Sequence, residues 1–317
     1  MPVSVGTTGA TTGGGSSSSS AAARIVDWPS ASWIDPAGVS WPLTDLAAGW
    51  FALAGVKGLG AAPVTYTTDA NARGGVNIRN AYNPGRVITL PLFVEGRSHA
   101  EFLDRWRALE NAFTSTQRRG PGTLVIGRPD GSSRCIQAVY QDGWDGDPEL
   151  GRRADYVVLS LFCPSPWWRS LDPIPIARGY AGAGANFLAP YPTVSSSQTL
   201  GATTFVNPGK VPVWPNWKIT GPAASITATN VTRGQSFTID VVAYRGTALA
   251  AGEVITITSD PPAITGPDGT SWYGALDNPS AEMWPLDEGT SSLSFVVAGA
   301  AAGTEIAATF YALYSTA

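Results

Sequence analysis

The sequence predicts a mainly β protein of two units with a single long helix, on three observations. Gly (36) and Pro (25) together make up nearly a fifth of the 317 residues, cutting the chain into short segments. Within those segments apolar residues recur at period two, the pattern of a half-buried strand. Helical spacing is sustained over only one stretch, about residues 99–116. A chain of this length exceeds one ordinary core and fits two domains of common size.

Taken in order, residues 1–23 are Gly, Ser, Thr and Ala with almost no charge, ending GGGSSSSSAAA. Such an arm buries too little apolar surface to offset the entropy of ordering it, and by itself it is expected to be disordered. From Trp28 come short segments punctuated by Pro and Gly, WPLTDLAAGWFALAGVKGLG and APVTYTTDANARGGVNI. Arg86 to Val94 alternates as a strand, with Pro91 arguing for an edge position or a bulge. Ser98 and Glu101 have capping-box spacing, and Phe102, Leu103, Trp106, Leu109 and Phe113 form the apolar face of the helix they open. RRGPG stops it. Two strands, 122–127 and 133–140, flank the turn Arg128-Pro129-Asp130-Gly131, in which proline presets φ and Asp-Gly tolerates positive φ. The strand 154–162 and the segment CPSPWWRS close a first unit at about 24–175. Residues 176–204 read as a Gly/Ala/Ser/Pro-rich connection. Beyond it VWPNWKITG, SITATN, SFTIDVVAY, VITITS, SLSFVVAG and TEIAATFYALY are spaced as the strands of a sandwich of roughly 110 residues, at 205–317.

Composition narrows function. Net charge is −4, only 14% of residues are charged, and the 20 basic residues are scattered. No basic stripe offers a surface for sequence-specific nucleic-acid binding. No run approaches the ~20 apolar residues of a membrane helix, and the first residues lack the pattern of a signal peptide. The expectation is a protein made in the cytoplasm and kept there or released by lysis. Cys135 and Cys163 are too few for a disulfide framework and read as reduced core thiols.

Chemistry is sparse. His99 is the only histidine, so any Ser-His-Asp or Cys-His system would have to be built around it. Three His and Cys residues without paired spacing do not make a zinc site. Asp142, Asp145, Asp147 and Glu149 alternate in a loop that could hold calcium, but the spacing does not match the twelve-residue calcium loop and a solvated turn explains it better. Asp268 and Asp287-Glu288 lie in turns, where a glycosidase pair would need its partners only ~5 to 9.5 Å apart; no local pattern favours one. No catalytic, cofactor-binding or metal residue is assigned, and no cofactor is expected.

Twelve tryptophans are the abundant feature, several at loops or strand edges: Trp28, Trp33, Trp41, Trp144, Trp167, Trp168, Trp272 and Trp284. Each is open to three readings, as a core plug, an interface anchor or a sugar-stacking platform. In CPSPWWRS the prolines force a turn, so Trp168 reads as a plug of the first unit. Trp167 and Arg169 read as candidates for a seam or an interface. Trp272 and Trp284 are the candidates for glycan contact.

The order of these segments resembles a known family. Gly49-Trp50 to Gly58, RVITLPLFVEG, SHAEFLDRWRALENAF, GTLVIGRPDGSSR and the strand ending FCPSPWW resemble the N-terminal half of the distal tail proteins of long, non-contractile (siphovirus-type) phage tails. Phe205 to Gly209, Val213-Trp214-Pro215, Ile219 to Pro222, Ala251 to Ile257, PDGTSWYGAL and Met283 to Leu286 continue the likeness, over about 27–314. The resemblance implies a tail-tube-like β-domain with one helix and a C-terminal galectin-like β-sandwich. It also implies a minor tail protein of the virion, with no enzymatic activity, forming a hexameric ring at the tail tip or baseplate. Implied partners are the tail tube protein, the hub or fibre-bearing tip protein and the tape measure protein, around a channel that lets DNA pass. The alternative is a carbohydrate-binding, receptor-recognising module. Galectin-type sugar sites place a histidine and arginines beside the tryptophan, whereas the second unit has no histidine and only Arg233 and Arg245. The Gly/Ser-rich arm and the 176–204 stretch depart from the family pattern.

Overall fold

The computed structural model describes residues 30–146, 151–180, 197–277 and 281–317. The arm at 1–23, Trp28, Asp147, Glu149 and residues 181–196 lie outside the described residues. The first half runs β1 (Ser30–Ile34), β2 (Ser40–Pro42), β3 (Trp50–Ala52), β4 (Thr65–Ala70), β5 (Val76–Tyr82), β6 (Arg86–Glu95), α1 (His99–Thr114), α2 (Thr116–Arg119), β7 (Gly122–Gly127), β8 (Ser133–Asp142), β9 (Ala154–Cys163) and β10 (Trp168–Ser170). The second runs β11 (Ile174–Gly179), β12 (Ser197–Asn207), β13 (Asn216–Thr220), β14 (Ser225–Asn230), β15 (Gln235–Asp240), α3 (Val241–Arg245), β16 (Val254–Ser259), β17 (Pro262–Thr265), β18 (Gly289–Ala298), β19 (Glu305–Phe310) and β20 (Leu313–Tyr314). The protein is mainly β, as its sequence predicts.

In the first half one antiparallel sheet has the order β2-β1-β7-β8-β9-β6-β3. The helix α1 covers its inner face. Ser98 Oγ accepts from the Glu101 amide, while the Glu101 carboxylate reaches back to the Arg97 amide at 2.7 Å, one residue earlier than the usual reciprocal bond. Phe102, Trp106, Leu109 and Phe113 are buried against Ile88, Leu90, Leu92, Val94, Val157, Leu159 and Leu161. Trp33 stacks on Phe113 at 4.8 Å and donates its indole N–H to the Ala112 carbonyl. Pro91 does not lie on an edge strand, since β6 pairs with β9 on one side and β3 on the other. Its nitrogen faces the side where β3 has ended and Lys57 has not yet begun its bridge to Thr89, so the missing N–H removes no strand-to-strand bond there.

In the second half two antiparallel sheets, β11-β19-β13-β16-β17 and β12-β18-β14-β15, pack face to face. Trp217 and Trp284 meet edge to face at 5.1 Å between them, and the Trp284 indole N–H donates to the Ala228 carbonyl. The 176–204 stretch is not all connection: β11 and the first part of β12 are strands within it, paired to β19 and β18. Its Gly, Ala and Ser content hid them, because outer strands of small side chains carry little alternation.

The chain's last residues return to the first half. β20 pairs with β10, which also pairs with β8, and Ala317 joins the first core. Arg86 is buried and donates to the carbonyls of Gly58, Gly60 and Ser315, each at 2.9 Å. Arg134 donates to the Thr316 carbonyl and Arg128 to that of Ala317. Arg86 and Arg134 of the first sheet and Arg128 of its β7–β8 turn thus strap down the end of the second half.

One element stands apart. The hairpin of β4 and β5 is a separate two-stranded sheet whose residues are all exposed.

Candidate functional site

The residues able to carry chemistry are separated and occupied. His99 Nδ1 lies 2.6 Å from the Arg152 carbonyl, with its ring beside Phe102. Cys135 and Cys163 are free, buried thiols, and burial pushes the Cys163 thiol up to about 12. Asp268 accepts from the amide and hydroxyl of Thr270 and from the Trp272 indole, and the Thr270 bonds hold its carboxyl below the usual range. That shift is opposite to the one a proton-donating glycosidase acid needs. Asp287 takes a bidentate pair from Arg233, and Glu288 an ion pair from Lys210. Asp142 accepts from the Gly143 amide, and no group of metal-ligating side chains assembles among the described residues.

The tryptophans divide by burial. Trp168 is fully buried at the edge of the first core, and Trp284 lies inside the second. Trp272 is buried beneath Tyr244, 5.3 Å between ring centres, with Arg245 over its ring. Neither Trp272 nor Trp284 presents an open ring face to a sugar, because each fills space between strands and loops of the sandwich. Trp167 and Arg169 line a groove of about 540 Å³ whose other wall is Pro212, Trp214 and Tyr311 of the second half. Arg169 lies over the Tyr311 ring at 4.7 Å and donates to the Cys135 sulfur.

Sequence reasoning missed Trp214. Mostly exposed, it rims a second cavity of about 310 Å³ floored by Trp217 and Trp284, with Tyr273 and Met283 at the mouth. That cavity is largely apolar, and two of its hydroxyls are already committed: Ser259 donates to the carbonyls of Trp214 and Pro215, and Thr258 to that of Pro261.

An open feature of another kind is the outer face of the first sheet. On the side away from α1, cross-strand pairs place Phe93 beside Tyr156, Pro91 beside Val158 and Val87 beside Phe162. Phe51 extends the row from β3 and Val139 from β8. Tyr156 is 66% exposed and Val158 46%. Lys57, Thr89 and Ser160 cross the middle of this face, with apolar side chains on either side of them; exposed apolar surface of this kind marks an interaction site. A signal for it was present: Tyr156, Val158 and Phe162 occupy one parity of β9, while Val157, Leu159 and Leu161 occupy the other. A strand apolar on both parities is one built to be covered on both faces.

No family model and no curated protein matches the chain. Among solved structures, the Dit protein of phage SPP1, described as a paradigm of the hub adsorption apparatus in phages infecting Gram-positive hosts, aligns with a TM-score of 0.62. The alignment covers 90% of this chain and 99% of that one, at 12% identity. The chain has the fold of a phage distal tail protein. Structures of the phage p2 baseplate in its activated conformation, with Sr and with Ca, align at a TM-score of 0.48 each. They share 11% and 10% identity, over 86% and 85% of this chain and 99% and 97% of theirs. The distal tail fold spans both β halves, so the SPP1 likeness rests on their arrangement and not on one sandwich alone.

Proposed function

We propose that this chain is a structural subunit of a phage tail tip. Copies of it form a ring, six in number, that joins the tail tube to the hub, baseplate or fibre-bearing proteins and leaves a channel for DNA. The observation that carries the reading is the distal tail fold over nine-tenths of the chain. The open apolar sheet face supports it, since a ring closes through heterologous contacts between two different patches of one chain, and obligate contacts of that kind are apolar. The net charge of −4 suits a channel past which phosphate slides without sticking. On this reading residues 24–175 form the tail-tube-like, ring-forming unit and 205–317 the galectin-like sandwich, with the tail tube, tape measure and tip proteins as neighbours.

The carbohydrate-binding reading has less support. Both tryptophans it relied on are buried, and the exposed Trp214 rims a cavity with few polar groups to orient hydroxyls.

Native mass spectrometry of the purified full chain tests the proposal. Six copies of a 33.0 kDa chain weigh about 198 kDa. A chain that stays at 33.0 kDa at high concentration, and also beside tail-tube and tip proteins, would refute it.

A further inference from the structure

We infer that the β4–β5 hairpin of one copy lies across the outer sheet face of the next, and that this contact is a principal joint of the ring; the inference rests on the ring reading above. Cross-strand register assigns the hairpin two unlike faces. Tyr66, Thr68, Ala70, Val76, Ile78 and Ala81 share one. Thr65, Thr67, Asp69, Asn77, Asn80 and Tyr82 share the other, where Arg79 pairs with Asp69 at 2.7 Å. The first face is apolar, yet Ile78 is 63% exposed and Val76 60%. A two-stranded hairpin is marginal alone in water, and an amphipathic one reaches full stability only when its apolar side is covered. Among the described residues it pairs with no other strand.

The occupant is a second copy because the same chain carries the matching surface. At ~3.4 Å per residue Val76 to Tyr82 of β5 spans about 20 Å, and so does Val87 to Phe93 on the sheet face. β6 and β9 run side by side along this whole stretch, flanked by β3 at the Phe93 end and by β8 at the Val87 end; three strands at ~4.8 Å spacing make a floor about 10 Å between outer strands, wide enough for a two-stranded ribbon. Charge is compatible as well. The six hairpin residues include no Asp, Glu, Lys or Arg. On the floor the apolar row is interrupted once, where Thr89 lies between Ser160 and the exposed Lys57; Lys57 sits at the margin, where its stem covers apolar surface while its ammonium stays in water, so docking strands no ion in an apolar interface. Hairpin and floor are different patches, which makes the contact heterologous and able to propagate around a ring.

The test uses full-length chains. Ile78→Cys and Val158→Cys variants are prepared separately, mixed and treated with a short bismaleimide; native Cys135 and Cys163 are buried and do not compete. The mixture is expected to give a crosslinked pair of twice the chain mass, with little from either variant alone. In parallel, Ile78→Asp is expected to shift the assembly to the 33.0 kDa chain, while Tyr82→Ser, on the polar face, leaves it assembled. Melting temperatures of both variants at dilutions where they are monomeric check that each chain is folded. If the wild type assembles but no mixed crosslink forms and Ile78→Asp assembles normally, the joint is overturned and the ring stands. Crosslinking of Ile78→Cys mainly to itself also overturns the joint, in favour of hairpin-to-hairpin contact. A wild type that closes no ring but still gives the mixed crosslink supports the joint and removes the ring; a monomer with no crosslink removes both.

Discussion

Trp168 shows how one side chain decides whether a segment is a site or a support. Its ring is fully buried where β10 meets β8 and β20, so truncation opens a cavity at the edge of the first core. Trp168→Ala is expected to lower stability by about 3 to 5 kcal/mol, read as a reduced denaturant midpoint. Its neighbours Trp167 and Arg169 face the groove between the halves instead, so adjacency in CPSPWWRS does not mean a shared role. Cys163 makes a pH prediction. Burial raises its folded pKa from 9.0 to about 12, so above about 9 the unfolded chain releases a proton that the folded chain retains. The stabilising preference for the neutral thiol is complete below the unfolded value and is lost as pH rises toward about 12. Iodoacetamide at pH 8 is expected to leave the native thiol unmodified and to label it after denaturation, as mass spectrometry would show; labelling of the native protein would contradict the burial.

Among elements, the returning strap and the projecting hairpin have opposite logic. The strap is over-determined: β20 pairing, Ala317 in the core and three arginine-to-carbonyl contacts all fix residues 313–317. Arg86 is the buried one of the three: burial lowers its pKa, and the carbonyls of Gly58, Gly60 and Ser315 compensate its charge, tying the strap to the segment after β3. Arg86→Met strands those carbonyls, and with ~1 to 3 kcal/mol for each unsatisfied buried group the net loss is expected to be about 3 kcal/mol after relaxation. Limited proteolysis is expected to cut the variant within the strap sooner than the wild type; equal rates would show that β20 pairing alone holds it. The hairpin is under-determined within one chain. In its sequence TYTTDANARGGVNIRNAY, the extra residue Arg79 shifts the register and breaks the alternation that marks a strand. α1 was legible for the converse reason, since cap, apolar face and stop all lie within local sequence.

For the whole molecule, the low charge content and the sheet apolar on both faces belong together. A subunit covered by its neighbours needs fewer solvated charges than one surrounded by water. Assembly through such faces responds weakly to salt. At 1 M salt the screening length falls to ~3 Å, and the proposed ring of about 198 kDa is expected to persist in sizing measurements there; dissociation would place ion pairs, not the apolar face, at the joint.

The sequence by itself determined the β class, the single long helix with its cap, the β7–β8 turn and the alternating strands, because each rests on interactions among residues a few positions apart. It also carried the order of segments that resembles distal tail proteins. Only the tertiary structure decided that Trp272 and Trp284 are covered, that most of β11 and of β12 falls inside an apparent linker, that the strap returns to the first core and that Tyr156, Val158 and Phe162 stay open. Burial is a property of what packs on a residue from far along the chain. Local pattern states that a side chain is apolar; the long-range fold determines whether this chain covers it or leaves it for another.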